Sequence, residues 1–369
     1  MESIMMNATP IRSYVGEHVY VGIDVHKKSY VVEARVAQER VKRWTTPALP
    51  EQLAEQLLKY FDGGIIHSAY EAGFSGFVLH RTLSRAGIDS RVVHAAAIEV
   101  AAHNRVKTDK RDAQKLATQL EAGRLKAIYV PTEAEEQARL LSRTRKQLVE
   151  ERASLKRKIR MKAHQFGLIG PEDNREMTPK FVAEILEQSP CEEFTLAIEV
   201  SWQVWQTLDQ QIAKLEARLK QQAQADPNEA VYRSAPGFGL ISSRVCANEL
   251  GNLKRFSNEQ KLFSYTGLTP GEDSSGETVH RGPITKQGNR HIRGVLIEVA
   301  WRAIRQDPAL ARFYQRVSGR AGAKRAIVAV ARKLIGRIRA AFCKGELYQI
   351  DYGAPLQEAD NPPAQTASA

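Results

Sequence analysis

Cysteine is scarce in this chain, and no metal-binding cysteine motif occurs in it. The three cysteines, Cys191, Cys246 and Cys343, lie far apart and form no Cys-x-x-Cys pair or Cys/His cluster. Zinc sites and redox motifs built on cysteine pairs are therefore excluded, and a disulfide framework is not expected. We expect reduced thiols that bind no metal, which is the usual state of cysteine in a cytoplasmic protein.

Long apolar runs are also missing. No window holds enough uncharged apolar residues to cross a membrane, and residues 1–13 lack the basic-then-apolar pattern of a secretory signal. The hydrophobic share of 43% and the charged share of 26% are those of an ordinary soluble protein. The sequence therefore predicts a cytoplasmic protein that has no membrane partner.

The chain carries a net positive charge, and the excess of positive over negative residues lies in one part of it. Residues 281–344 contain 16 Lys and Arg against two acidic residues, whereas the whole chain has a net charge of +12. The rest of the chain is therefore close to neutral. Such a local excess is typical of a surface that binds a polyanion, although a solvated basic face is the simpler explanation. We favour nucleic acid as the partner.

A short stretch near the start places a carboxylate at the end of a strand. Residues Val19–Ile23 are apolar and β-branched, Ser29–Val36 reads as a second strand, and Asp24 begins the turn between them. An aspartate at this position can simply cap the turn. It can also present its oxygens to a divalent cation, because the sheet holds its backbone in place.

The order of elements that follows is typical of a ribonuclease-H-like sheet. Three strands in succession, which are antiparallel in such a sheet, come before two further strands, each of which is reached through a helix. We predict an α/β N-terminal domain of this kind. Its predicted elements after the first two strands are a strand at Val41–Thr46, a helix at Pro50–Tyr60, a strand at Ile65–Glu71, a helix at Phe77–Ala86 and a strand at Asp89–His94.

Three further acids can join Asp24. Glu71 ends a predicted strand, and Asp109 and Asp112 lie three apart in the first turn of a predicted helix that runs to about Glu121. Acids at a helix start also offset the helix dipole, which is the simpler explanation for each one alone. Four converging acids would repel one another unless cations lay between them, so we expect Mg²⁺ (or Mn²⁺) there.

The middle of the chain predicts a helical spacer. Two long helices are expected, one from Pro131 to about Lys162 and one over Trp202–Gln222, whose apolar residues alternate three and four apart. They can pair within one chain as an antiparallel hairpin or between two chains. Between them, Pro171–Cys191 is predicted to be a loose connection.

The C-terminal part carries the motifs expected to meet DNA. Gly237 and Gly239 precede an apolar helix in a pattern typical of helix-hairpin-helix elements, whose exposed N–H groups hold phosphate, although a plain helix-start turn fits equally well. Thr269–Thr278 is predicted to be a loop rich in hydroxyls. A helix over Gln287–Ile304 is predicted to bury one apolar stripe and expose its arginines.

Taken together, six motifs in this order resemble the DEDD-type insertion-sequence transposases, whose members include bridge-RNA-guided serine recombinases. The resemblance covers about Val19–Ala341. The motifs are Gly-Ile-Asp-Val-His-Lys, Tyr-Glu-Ala-Gly, Lys-Thr-Asp-Lys-Arg-Asp-Ala, Pro-Gly-Phe-Gly, Tyr-Thr-Gly-Leu-Thr-Pro with its following Ser-Ser-Gly, and Thr-Lys-Gln-Gly-Asn-Arg-His-Ile-Arg.

The resemblance implies a RuvC-like domain at 18–127 and a mainly helical serine transposase domain at 228–346. The spacing of apolar residues predicts a coiled-coil spacer between them, at 131–224. The small, polar, Pro/Ala-rich composition of residues 353–369 predicts a disordered tail. It implies that Asp24, Glu71, Asp109 and Asp112 are the metal-binding tetrad. It also implies that Ser275 is the nucleophile, although Ser274 is adjacent and is the alternative. The residues expected to contact nucleic acid are Arg281, Lys286, Arg290, Arg293, Gly237 and Gly239.

The reaction implied is cutting and rejoining of donor and target double-stranded DNA through a covalent phosphoserine. A homo-oligomer (dimer or tetramer) and a guide RNA are implied by the resemblance alone. Three other functions are compatible with parts of the sequence: a metal-only nuclease or Holliday-junction resolvase, an actin-like kinase or ATPase, and a DNA-binding scaffold without activity. The kinase would need a glycine-rich phosphate loop, which we do not find in a suitable context.

Overall fold

A computed structural model of the chain describes residues 13–95, 98, 109–275 and 278–351, with the backbone alone for 272–275 and 278–281. The chain divides between Pro131 and Thr132 into two compact units, which we call the N-terminal unit and the C-terminal unit. The tail at 353–369 lies outside the described residues. Among the described helices, none is both long enough and apolar enough to span a membrane.

The N-terminal unit is a mixed α/β structure. Its elements, in chain order, are β1 (His18–Val25), β2 (Ser29–Val36), β3 (Glu39–Pro47), α1 (Pro50–Tyr60), β4 (Ile65–Glu71), α2 (Val78–Arg85), β5 (Asp89–Val93) and α3 (Asp109–Glu121). The strand order is β3-β2-β1-β4-β5, in which β1 to β3 are antiparallel and β4 and β5 are added in parallel. This arrangement confirms the predicted three antiparallel strands extended by two helix-linked strands.

The two faces of this sheet are covered by different helices. Along β1, Val19, Val21 and Ile23 are fully buried in the core that includes α1 and α2. The alternate residues of β1 face α3, because successive side chains of a strand point to opposite faces. Gly22 allows α3 to approach the sheet closely: a Cβ there would lie 2.1 Å from the carbonyl oxygen of Ala113.

The C-terminal unit is mostly helical, as predicted. Its elements are α4 (Glu133–Gln165), α5 (Pro179–Glu187), α6 (Glu192–Ala225), α7 (Glu229–Ser234), α8 (Leu240–Leu250), α9 (Glu259–Thr266), β6 (Pro270–Ser275), β7 (Thr278–Ile284), α10 (Arg290–Ala303), α11 (Pro308–Ala321) and α12 (Ala323–Lys344). A buried core joins α8, α10 and α12.

The long helices α4 and α6 pack against each other within the chain. Arg145 pairs with Glu216 at 2.7 Å and Arg152 pairs with Asp209, so residue numbers rise along one helix as they fall along the other. The pairing is therefore antiparallel, which is the intrachain alternative that the sequence leaves open. The helix α4 ends three residues past its predicted end, at Gln165, and α6 begins ten residues before its predicted start, at Glu192, because buried Phe194 and Ile198 extend its apolar face.

Two segments differ from the sequence predictions. Thr269–Thr278 is predicted to be a loop, but β6 and β7 pair there as an antiparallel ribbon, with Ser275 opposite Thr278. The side chains of this segment favour turns, so they do not predict strands. Backbone pairing between β6 and β7 nevertheless stabilises the extended conformation. The connection Pro171–Cys191 contains α5, which buries Phe181, Val182 and Ile185.

Candidate metal centre and basic surface

The carboxyl ends of β1 and β4 bring two of the predicted tetrad residues to one edge of the sheet. Ile23 lies opposite Tyr70 in the parallel pairing, so Asp24 and Glu71 are the next residues on neighbouring strands. Each is two residues beyond a position that faces α3, namely Gly22 and the buried Ala69. Both acids therefore lie on the α3 face of the sheet.

The helix α3 supplies the other two acids. Its first residue is Asp109, and Asp112 follows in the same turn. Because Gly22 packs under Ala113, the first turn of α3 lies beside the end of β1. The Asp112 carboxylate is 3.6 Å from the Lys115 ammonium group, which offsets part of its charge.

A histidine that is not among the predicted site residues lies close to two of these acids. The Nε2 atom of His26 is 3.1 Å from Oδ2 of Asp24 and 3.2 Å from Oδ2 of Asp109. Ligand atoms of these three residues all lie within 4.8 Å of one another, so they could hold one metal ion. We call Asp24, His26 and Asp109 the Asp24 cluster.

Burial and neighbouring acids act together on Asp24. Burial raises the pKa of its carboxyl group, the charges of Asp109 and Asp112 raise it further, and the charge and hydrogen bond of His26 oppose that rise without cancelling it. The ionised form of Asp24 is therefore less favoured in the folded chain than in the unfolded chain. A divalent cation would reverse this balance, and two carboxylate oxygens with one imidazole nitrogen are a donor set suited to such an ion.

The structure gathers part of the predicted tetrad. Asp24 and Asp109 come together, whereas Glu71 and Asp112 are not in the three-residue group found among the described residues. Glu71 is exposed at the end of β4, on the same face as the cluster. The sequence does not identify His26 as a site residue. It lies two residues after Asp24, in the turn between two strands, where polar residues of any kind are common.

Ser275, the predicted nucleophile, is the last residue of β6. Its backbone pairs with Thr278, and that of Ser274 pairs with Val279. The ribbon therefore fixes the backbone of both serines. Arg281 lies on β7 in the same ribbon.

The basic residues that follow are held in place by a network in the C-terminal unit. Lys286 and Arg290 are exposed. Arg293 is half-buried and donates a hydrogen bond of 3.0 Å to the carbonyl oxygen of Lys286. Asn289 caps α10 through the N–H of His291. This segment therefore presents two exposed cations on an ordered backbone.

A second carboxylate cluster anchors that segment. Glu249 is fully buried and accepts two hydrogen bonds from Arg143, at 2.7 and 2.9 Å, and one of 2.7 Å from Asn289. The guanidinium of Arg139 is 3.8 Å away. We call these four residues the Glu249 cluster; none of its members is among the residues predicted from the sequence.

The N–H groups of the two glycines predicted to bind phosphate already donate hydrogen bonds to side chains of the fold. The N–H of Gly237 donates to Oε1 of Gln306 at 2.6 Å, and the N–H of Gly239 donates to Oγ of Ser242 at 2.8 Å. Gly237 also packs against α10, where a Cβ would lie 2.6 Å from the carbonyl oxygen of Val299. Phosphate binding by these N–H groups would require both hydrogen bonds to open.

Comparison with known proteins shows which family the chain belongs to. The IS110 DEDD transposase model matches residues 21–166, and the model described as the transposase IS116/IS110/IS902 family matches residues 230–315. Two Sinorhizobium fredii proteins named as transposases are similar to the chain. One is 31% identical over 289 residues, which cover 76% of this chain and 71% of that protein. The other is 30% identical over 308 residues, or 75% and 76%.

The transposase for insertion sequence element IS1111A of Coxiella burnetii is 24% identical over 278 residues, which cover 73% of this chain and 76% of that protein. The matched regions include both the acids at the edge of the sheet and the ribbon with the basic segment. The chain therefore belongs to the IS116/IS110/IS902 family of insertion-sequence transposases, and its enzymatic activity is that of a DNA transposase.

Proposed function

We propose that this transposase cuts and rejoins DNA through a covalent phosphoserine on Ser275, with Asp24, Glu71, Asp109 and Asp112 as its metal-binding tetrad. The observation that carries the proposal is the convergence of Asp24 and Asp109, from two separate elements, on one group able to hold a metal ion. A structural role alone would not require two acids to lie so close on a partly exposed surface, because like charges repel.

The tetrad residues have distinct parts in this proposal. Asp24 and Asp109 supply the oxygens that already lie together. Glu71, on the neighbouring strand, and Asp112, in the first turn of α3, would complete the set on the same face. When bound, Mg²⁺ or Mn²⁺ would offset the negative charge of the carboxylates and of the DNA phosphate.

The serine step conserves the energy of the phosphodiester bond. Oγ of Ser275 loses its proton and bonds to phosphorus, while the bond from phosphorus to one deoxyribose oxygen breaks and that oxygen leaves as a hydroxyl. A deoxyribose hydroxyl then attacks the phosphoserine, releases the serine and rejoins the strand without ATP. The ribbon supports this role because its pairing holds the backbone of Ser275 in a fixed position.

DNA contacts are proposed for the basic segment. Lys286 and Arg290 are exposed and can reach phosphates, and Arg281 precedes them on β7. Arg293 holds the backbone of this segment through Lys286, so we assign it both a phosphate contact and a positioning role. Such contacts fix the register of the DNA without reading its sequence.

Sequence choice by a guide RNA and assembly as a dimer or tetramer complete the proposal. The guide RNA follows from the resemblance, and a basic surface of this kind would suit RNA as well as DNA.

Assembly is supported by α6, on which Leu196, Val200 and Val204 recur every fourth residue and are 62%, 52% and 46% exposed. An exposed apolar stripe of that kind is typical of a surface that packs against another protein.

The test uses the full chain expressed with the flanking DNA of its own insertion sequence, so that RNA encoded there is present. The purified protein is incubated with labelled junction DNA and Mg²⁺, denatured, and resolved on a gel. We expect a protein–DNA adduct with the wild type and with the matched control Ser274→Ala, and no adduct with Ser275→Ala.

Two results would contradict the assignment. An adduct that disappears with Ser274→Ala and persists with Ser275→Ala would move the nucleophile by one residue. Cut DNA without an adduct in any sample would support the alternative, a metal-dependent nuclease or junction resolvase in which water attacks the phosphorus.

A further inference from the structure

The His26 side chain lies between carboxylates from two separate elements. Asp24 is the next-to-last residue of β1 and Asp109 is the first residue of α3. One atom, Nε2 of His26, is within 3.2 Å of an oxygen of each. The backbone of His26 is fixed by the first hairpin, because its N–H donates a hydrogen bond of 2.9 Å to the carbonyl oxygen of Ser29. The fold therefore holds the backbone of His26 beside the two carboxylates.

Hydrogen bonding alone accounts poorly for this contact. A single Nε2 atom carries at most one proton, so it can donate one good hydrogen bond and must share it between two carboxylates. By contrast, a nitrogen and two carboxylate oxygens within 4.8 Å of one another are spaced as three ligands of one ion. The His26 side chain is 43% exposed, which leaves the site open to an ion and to a phosphate.

We propose that His26 is a direct ligand of the divalent cation, together with Asp24 and Asp109, and that its nitrogen makes the site select Mn²⁺ over Mg²⁺. This inference rests on the metal centre of the proposed function and adds a ligand outside the four acids. Mg²⁺ strongly prefers oxygen ligands, whereas transition metals accept imidazole readily. Replacing one oxygen ligand by nitrogen therefore favours Mn²⁺.

The experiment measures coordination directly. Mn²⁺ is added to the full-length wild-type protein, and electron spin echo modulation at the Mn²⁺ signal detects any bound ¹⁴N nucleus. Equilibrium titration gives the Kd for Mn²⁺, and competition against Mn²⁺ gives the Kd for Mg²⁺. The variants are His26→Ala and His26→Gln. His67→Gln is the matched control, because His67 lies on the same sheet, 2.9 Å from the carboxylate of Asp89.

We expect a ¹⁴N coupling in the wild type and in His67→Gln and its loss in both His26 variants. We also expect the Mn²⁺ Kd to rise at least about tenfold in those variants, the lower end of the effect of losing a residue that supports a metal site. The Mg²⁺ Kd should change less, so the preference for Mn²⁺ falls.

The outcomes separate this proposal from the one on which it depends. Mn²⁺ that binds the wild type, is weakened by Asp24→Asn, and shows no ¹⁴N coupling would overturn the role of His26 and leave the carboxylate site standing. Mn²⁺ that fails to bind the wild type would overturn both. Because the decisive coupling is measured on the wild type, the test does not depend on how well a variant folds.

Discussion

The Asp24 cluster and the Glu249 cluster both combine acids with nitrogen-bearing side chains, but their charge balance is opposite. In the Asp24 cluster, two carboxylates share one imidazole, and the three side chains are 22–61% exposed. In the Glu249 cluster, one fully buried carboxylate meets two guanidinium groups and an amide. Excess negative charge at the surface favours the binding of a cation, whereas a buried carboxylate that is already paired with guanidinium groups does not.

The pKa values of the two acids follow this difference. Burial raises the pKa of Glu249, but the hydrogen bond and charge of Arg143, the hydrogen bond of Asn289 and the charge of Arg139 together outweigh burial. They hold the pKa of Glu249 below its ordinary value. The pKa of Asp24 is raised, because burial and neighbouring acids exceed the effect of its one imidazole. Ionised Glu249 thus stabilises the fold, and ionised Asp24 opposes it.

The largest expected effect comes from breaking the Glu249 cluster. Glu249→Ala leaves the guanidinium groups of Arg139 and Arg143 without their buried carboxylate, so we expect the free energy of unfolding to fall by about 3–5 kcal/mol. Urea denaturation followed by circular dichroism measures this change. Glu249→Gln, which keeps the shape and one acceptor, should cost less. A loss below about 1 kcal/mol for Glu249→Ala would contradict the anchoring role of the cluster.

The next effect is on cleavage. Asp24→Asn should reduce DNA cleavage at least about a hundredfold, because a metal ion contributes several kcal/mol to stabilising the transition state. Without metal, the same variant should be as stable as the wild type or more stable, since it removes a carboxylate that burial and Asp109 disfavour. Cleavage assays and urea denaturation in EDTA check the two results, and unimpaired cleavage would contradict the proposed metal centre.

Much of the N-terminal fold could be predicted from the sequence, because its signals are local. The strands β2 and β4 and the helix α1 begin and end at the predicted residues. Apolar β-branched runs and a proline at the start of α1 carry these signals. The ribbon of β6 and β7 could not be predicted, because its residues favour turns and only cross-strand pairing makes them strands.

The candidate sites divide in the same way. Asp24 and Asp109 were predictable, since their positions at a strand end and a helix start follow from the sequence. His26 was not, because its contact with Asp109 spans 83 positions of the chain and depends on how closely α3 approaches β1. Glu249 was not predicted either: its partners Arg143 and Asn289 come from distant segments. Contacts of this kind are set by packing.

A smaller effect is expected from the glycine that permits this close approach. In Gly22→Ala the new Cβ would lie 2.1 Å from the carbonyl oxygen of Ala113 and 2.4 Å from the N atom of Ala117, so α3 must shift. We expect a loss of about 1–3 kcal/mol in unfolding free energy, as in other overpacked cores. Gly73→Ala is the matched control, because its nearest neighbour is 3.9 Å away. Equal stability of the two variants would show that α3 does not pack tightly against Gly22.

The smallest effect is the pH dependence that distinguishes the two clusters. Because the pKa of Glu249 is lowered by folding, its stabilisation is complete above about pH 4.3, the ordinary glutamate value, and is lost as the pH falls through the folded pKa. The pKa of Asp24 is raised by folding, so its penalty is absent below about pH 3.9 and is complete above the folded pKa. A rise in pH therefore strengthens the contribution of Glu249 to folding and weakens that of Asp24.

Urea denaturation in EDTA, repeated across this pH range, separates them. The advantage of the wild type over Glu249→Gln should shrink as the pH falls, because protonation removes the charge that binds Arg143. The disadvantage of the wild type relative to Asp24→Asn should also shrink, because protonation removes the charge that Asp109 repels. Acidification thus moves the two differences toward zero from opposite sides. If the wild type were more stable than both variants, or less stable than both, one of the two clusters would have been assigned the wrong charge balance. Charge balance would then not distinguish a cation-binding site from a structural ion pair.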